Sequence, residues 1–205
     1  MKARVSVFVG TSVDGFIARK DGALDFLPAD GGEPRYGFIF GTGIVVSFLE
    51  AYYATGRPSV ATAALLVSRA FLSVLVNGEL ARRLSRREPL RVSTDGDEWP
   101  DGSYLALGAG STPDIGFGFR AFARCDEQPG FFHVVGVVGA LPQLALAAPR
   151  VRRGRPWRRR LAQDELARRL LVQADRPRFT VDGDLYAAER SVSVETGPGV
   201  EIVVP

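Results

Sequence analysis

The chain has 205 residues, of which 46% are hydrophobic and 24% charged, with a formal net charge of +3. That is a globular composition with room for one ordinary domain or two small ones, so a disordered, fibrous or disulfide-stapled chain is excluded. Cys125 is the only cysteine and His133 the only histidine, which rules out an intrachain disulfide and a zinc site built on clustered Cys and His. All but two of the 26 basic residues are arginine, and the two lysines, Lys2 and Lys20, lie near the beginning of the chain. The mild positive charge is too small to assign a nucleic-acid partner. The opening Met1–Val9 holds too short an apolar run for a secretory signal, and the expected location is cytoplasmic.

Residues 3–9 alternate and are rich in Val and Phe, which predicts a strand ending at Gly10. The Gly- and Pro-containing stretch from Ala29 to Pro34 reads as a loop and places a boundary there. Apolar positions at helical spacing predict a helix over 43–55, stopped by Gly56. A second helix follows from about Ser59 to Val76, with Pro58 near its first turn and Asn77-Gly78 after its end. Arg69, Ser68 and Ser73 lie within it and argue for a packed core helix rather than a membrane span.

From Leu90 the pattern changes to strands. Leu90–Thr94 and Tyr104–Leu107 flank an Asp95-Gly96 turn and read as a hairpin. Phe132–Val138 is a further strand and Leu141–Ala148 a short helix; 167–173, 178–181, 191–195 and 200–204 are strands again. The predicted architecture is α+β: a helical hairpin followed by a mainly antiparallel β-sandwich.

Three groups of residues bear on chemistry. Gly37, Gly41 and Gly43 precede a helix, but with no Lys-Ser/Thr and no G-x-G-x-x-G beside them they read as turns and close approaches rather than a phosphate loop. Seven arginines fall within residues 150–160: Arg150, Arg152, Arg153, Arg155, Arg158, Arg159 and Arg160, with Trp157 among them. This is either a solvated loop or a surface for phosphates. No recognition helix or stacking motif favours nucleic acid, so the expected anion is an anionic lipid surface. Asp182 and Asp184 lie two residues apart around Gly183 at a strand end. By spacing alone this is an Asp-Gly turn, although such carboxylates can also orient a metal or accept a proton from a hydroxyl.

Two resemblances meet at residue 35. Val5–Ala18 with Asp21-Gly22-Ala23-Leu24-Asp25-Phe26-Leu27 resembles the first strand and following loop of the dihydrofolate-reductase-like reductases of riboflavin biosynthesis, over residues 1–34. It implies NADPH, but the later cofactor segments of those enzymes have no counterpart here. From about Tyr36 to Pro205, within a domain placed at 35–205, the chain resembles the C-terminal domain of the bacterial diacylglycerol kinase and lipid kinase family. The resemblance rests on Gly41-Thr42-Gly43, Asp95-Gly96 with Pro100-Asp101-Gly102, Leu107–Gly110 with Gly116–Phe119, Pro129–Phe132, Val181–Tyr186 and Gly197-Pro198-Gly199 in order.

That likeness implies a lipid-side β-sandwich in ATP- and Mg2+-dependent phosphoryl transfer to a lipid hydroxyl. Asp184 stands where the family has the Glu of Asp-Gly-Glu, the proton acceptor, and Asp182 is its neighbour near metal. The family's nucleotide motif Gly-Gly-Asp-Gly is absent, and Pro129 stands where its structural Mg2+ loop has an acid. The expectation is therefore a domain incomplete by itself, which neither ATP nor Mg2+ binds unaided and which a separate nucleotide-binding domain completes. Its other expected partners are the lipid substrate or an anionic membrane surface, which makes it peripheral to the membrane. The alternatives are a non-catalytic module that binds anionic lipid and a fragment of an NADPH-dependent reductase.

Overall fold

The computed structural model describes residues 3–10, 35–56, 59–75, 78–116 and 118–202. Its strands are β1 (Ala3–Gly10), β2 (Ile39–Thr42), β3 (Glu88–Thr94), β4 (Asp97–Glu98), β5 (Gly102–Tyr104), β6 (Ala106–Gly110), β7 (Phe132–Val137), β8 (Ala162–Ala167), β9 (Arg169–Gln173), β10 (Arg178–Val181), β11 (Asp184–Ala187) and β12 (Ser191–Ile202). The helices are α1 (Ile44–Tyr53), α2 (Val60–Leu75), α3 (Glu79–Leu84) and α4 (Leu141–Arg152). One sheet runs β1-β12-β9-β3-β4, with β5 also on β3; the other runs β11-β10-β2-β6-β7-β8. Every strand pair is antiparallel. This is the predicted α+β class.

Three layers follow from how the side chains alternate along the strands. Leu90, Val92, Leu170, Val172, Val192 and Val194 of the first sheet meet Phe40, Leu107, Phe132, Val134, Phe179 and Val181 of the second. The reverse face of the second sheet carries Ala106, Val135, Val137 and Ala162, and α3, α4 and the segment around Phe122 pack there. On β6 the small residues are a packing requirement: a Cβ on Gly110 would lie 2.3 Å from Phe122 Cδ2.

The structure departs from the sequence reading at several elements; β2 and β11 are strands where the sequence predicts none. The strand predicted over 104–107 is split at Leu105, whose N–H bonds Val137 and whose carbonyl accepts from Ile44, so the chain crosses there from one sheet to the other. α3 lies where only a helix stop was expected; at six residues it has too little periodicity to show, and Ala81, Leu84 and the bond from Ala81 N–H to Ser73 Oγ hold it. α4 continues through Pro149 to Arg152 and ends before Gly154 at φ 60°. β8 was not predicted because Ala-Gln-Asp-Glu-Leu-Ala has no apolar alternation, and as an edge strand it needs little. Gly197-Pro198-Gly199 does not separate two strands: β12 runs through it, with a register shift opposite Ser6–Phe8 of β1 that absorbs the extra residue.

β1 pairs with β12, whereas residues 11–34, which hold most of the reductase-like segment and the loop boundary, lie outside the described residues.

Candidate functional site

The Asp182-Gly183 pair forms a two-residue turn between β10 and β11, with φ 49° at Asp182 and 103° at Gly183. Two successive positive φ values fit a tight hairpin between right-twisted strands, and Asp followed by Gly tolerates them. β11 is the edge strand of its sheet, so Asp184, its first residue, stands exposed on an open border.

The two carboxylates have different duties. That of Asp182 accepts the backbone N–H of Phe38 at 3.0 Å to both oxygens and that of Ile39 at 2.8 Å. The Asp182 N–H in turn donates to the Ile39 carbonyl at 2.9 Å. Asp182 thus ties the turn to the start of β2. Gly37 allows this approach, since a Cβ there would lie 2.4 Å from Val181 Cγ1 and 2.7 Å from Asp182 Oδ2.

Asp184 has its carboxylate open to solvent, with the Tyr186 hydroxyl 3.5 Å from Oδ2. Two further groups fix its surroundings. The Tyr53 hydroxyl, at the end of α1, donates to the Gly183 carbonyl at 3.0 Å. The Arg35 guanidinium lies 4.0 Å from the centroid of the Tyr186 ring, which also contacts Phe179. An exposed carboxylate with two phenol hydroxyls and a guanidinium nearby can accept a proton from an alcohol and orient it. Tyr53 and Arg35 are distant from Asp184 in sequence and carry no motif, so only the fold brings them to the turn, whereas Tyr186 follows two residues later on β11 within the Val181–Tyr186 stretch.

At the other end of β10 lies an ionic group that the sequence did not suggest. Arg178 pairs with Glu50 of α1. Burial pushes the Glu88 carboxyl up, against the pull of Arg178 and of its bond from the Gly43 N–H, and the Glu50 charge adds to the rise. At the start of α1 the Ile44 N–H donates to the Leu105 carbonyl at 2.8 Å, and the Glu88 carboxyl lies near the Gly43 N–H. This geometry suits the turn reading of Gly37, Gly41 and Gly43, since an acid stands where a bound phosphate would go.

The arginine-rich segment 150–160 falls at the end of α4 and the loop after it. Trp157 is half-buried and turned inward, its Nε1 donating to the Ala121 carbonyl at 2.9 Å. Arg150 Nε donates to the Pro156 carbonyl at 2.9 Å, Arg153 to that of Pro149, and Arg152 lies over the Phe119 ring. Arg155, Arg158, Arg159 and Arg160 are exposed. This group and the Asp182-Gly183-Asp184 turn lie on separate elements.

Among the described residues no group of three His, Cys, Asp or Glu side chains could hold a metal ion, and no helix is long and apolar enough to cross a membrane.

No family profile matches the sequence, and no curated protein matches it. Its fold is shared with two solved structures from Bacillus anthracis str. Sterne, each described as a putative diacylglycerol kinase. One is 12% identical, with a TM-score of 0.55, and the match covers 94% of this chain and 55% of that one. The other is 11% identical, with a TM-score of 0.53, over 95% of this chain and 55% of that one. The chain thus spans little more than half the length of the structures it matches, and its fold is similar to that of bacterial diacylglycerol kinase-like proteins.

Proposed function

We propose that this chain is the lipid-side domain of a diacylglycerol-kinase-like enzyme, which transfers a phosphoryl group from ATP to a lipid hydroxyl. The observation that carries the reading is the placement of Asp184: an exposed carboxylate on a sheet border, beside a turn that Asp182 fixes rigidly to β2, in a fold similar to diacylglycerol kinase-like structures. In this reading Asp184 accepts the proton of the attacking hydroxyl, while Tyr53 and Tyr186 keep the turn and the carboxylate in place. Asp182 is a positioning residue.

The side chains present do not fit Mg2+ or ATP by themselves. Asp182 already accepts three backbone contacts, no cluster of three ligating side chains exists among the described residues, and the sequence has no Gly-Gly-Asp-Gly. Phosphoryl transfer depends on positioning and on neutralising charge, so the nucleotide and its metal are assigned to a separate unit. The test has two parts. Calorimetric titration with a dispersed short-chain diacylglycerol should show binding, and its absence would overturn the lipid-side reading. Labelled ATP with diacylglycerol and Mg2+ should give no product with this chain alone; robust turnover would overturn the need for a second unit.

A further inference from the structure

α2 is apolar on both of its faces. Its 16 residues include one charge, Arg69. Ala63 is buried against the rest of the protein, while Ala61, Ala64, Leu65, Ser68, Arg69 and Leu72 form one exposed stripe at helical spacing. Leu65 is 52% and Leu72 63% exposed, and Leu146 on α4 is 84% exposed. A helix at a water surface ordinarily turns polar residues to that stripe, so these leucines call for a partner.

Between α2 and α4 runs an open cleft of about 780 Å3. Its walls are mostly small or apolar, with Ala64, Val67 and Ser68 from α2, Ala145 from α4, and Phe119, and Arg152 and Arg153 also line it. The Arg152 guanidinium lies 5.6 Å from the Phe119 ring centroid, which fixes one cation over the apolar lining. Among the described residues, no carboxylate lies within ion-pairing distance of Arg152, Arg153, Arg155, Arg158, Arg159 or Arg160. An apolar face alone would suit many partners; one whose cleft is lined by Arg152 and Arg153, with four more exposed arginines on the loop that follows α4, complements an anionic, apolar partner. At 16 residues the helix is not long enough to cross a bilayer, and an apolar stripe of that length suits the interface plane.

We propose that the α2–α4 face docks this chain on an anionic phospholipid bilayer. Leu65, Leu72 and Leu146 enter the acyl boundary, the cleft takes one acyl chain, and Arg152 and Arg153 meet the phosphate of its headgroup. The inference rests on this face and not on the chemistry of Asp184.

Co-sedimentation of the full chain with vesicles tests it. Vesicles of phosphatidylcholine mixed with phosphatidylglycerol should bind the chain about tenfold more tightly than phosphatidylcholine alone. Leu65→Ser/Leu72→Ser/Leu146→Ser and Arg152→Gln/Arg153→Gln should each lower that affinity by about tenfold, with unchanged far-UV circular dichroism. If the triple variant misfolds, Leu146→Ser alone, at the most exposed of the three positions, serves and should still weaken binding. Equal binding to both vesicles, no binding, or full binding by the leucine and arginine variants would overturn the proposal. So would self-association that the leucine substitutions abolish, because a second copy would then cover the face. Displacement by inorganic phosphate with the leucine variant still bound would reduce the site to a free-anion site and overturn it likewise. Asp184→Ala should sediment like the parent. Sedimentation without diacylglycerol binding would therefore refute only the kinase reading, and diacylglycerol binding without sedimentation only the docking.

Discussion

Asp95 and Asp182 perform the same task in opposite sheets. Asp95, at φ 50° before Gly96, accepts the N–H of Arg168 at 3.0 and 3.1 Å and that of Arg169 at 2.8 Å, and its own N–H donates to the Arg169 carbonyl. Asp182, at φ 49° before Gly183, does this to Phe38 and Ile39 with nearly the same distances. Each carboxylate pins a hairpin turn to the start of a neighbouring strand, where backbone N–H groups would otherwise lack partners. The residue after each turn glycine is also an aspartate, Asp97 in one sheet and Asp184 in the other. Asp97 is thus an internal control for Asp184: same turn, different surroundings.

The two acids of the candidate site should therefore separate by assay. Asp182→Ala leaves N–H groups unpaired and puts alanine at positive φ, and should cost about 1–3 kcal/mol in urea denaturation. Asp95→Ala should cost a similar amount. Asp184→Ala should stay within about 0.5 kcal/mol of the parent. In an assembly that includes the nucleotide unit, Asp184→Ala should lower kcat by about 100-fold or more, whereas Asp97→Ala leaves it unchanged. Equal kcat for parent and Asp184→Ala would remove the proton-acceptor role.

Gly37 should resist substitution for a steric reason. The alanine Cβ would meet Val181 Cγ1 at 2.4 Å and Asp182 Oδ2 at 2.7 Å. Gly37→Ala should lower stability by about 1–3 kcal/mol, and the loss should shrink in an Asp182→Ala background, where one of the two clashes is gone. Strict additivity in that double-mutant cycle would count against the contact.

Stability should respond to acid in opposite senses at two half-buried carboxyls. Burial would raise Asp164, but hydrogen bonds from His133 at 3.0 Å and Arg124 at 2.9 Å outweigh it and hold the carboxyl below its usual range. A depressed carboxyl stabilises the fold above its unfolded-state pKa, near 3.9, and that share is lost as pH falls through the lowered folded-state pKa. Asp164→Asn should therefore flatten the acid limb of the denaturation midpoint. Glu88, raised chiefly by burial, works the other way: its contribution is present below its unfolded-state pKa and is lost as pH rises through the folded one. Glu88→Gln, which removes the charge at nearly the same size, should gain on the parent toward neutral pH. Parallel pH profiles for either variant and the parent would contradict the assignment.

Cys125 should be inert in the native protein. It is 6% exposed, and its thiol is pushed up to about 12, first by burial and then by the charge of Asp126. A disulfide reagent at pH 8 should modify it slowly in the folded chain and fast in denaturant, since the thiolate is the nucleophile. Equal rates in both states would show that the loop around Cys125 opens freely.

The sequence by itself determined the α+β class, α1, α2, β1, β3, β7, β9, β10 and the two Asp-Gly turns. Each is local: helical or alternating apolar spacing, and glycine where φ turns positive. The tertiary structure alone decided the rest. It showed that Asp182 is spent on the backbone of β2, more than 140 residues away in sequence, while Asp184 keeps its carboxylate open. It brought Tyr53 and Arg35 to that turn, placed Glu88 at the start of α1, and turned Trp157 inward while leaving leucines outward on α2 and α4. Hydrogen bonds and burial between distant segments leave no periodic trace in a sequence, because they depend on which face each element presents once all the layers are packed.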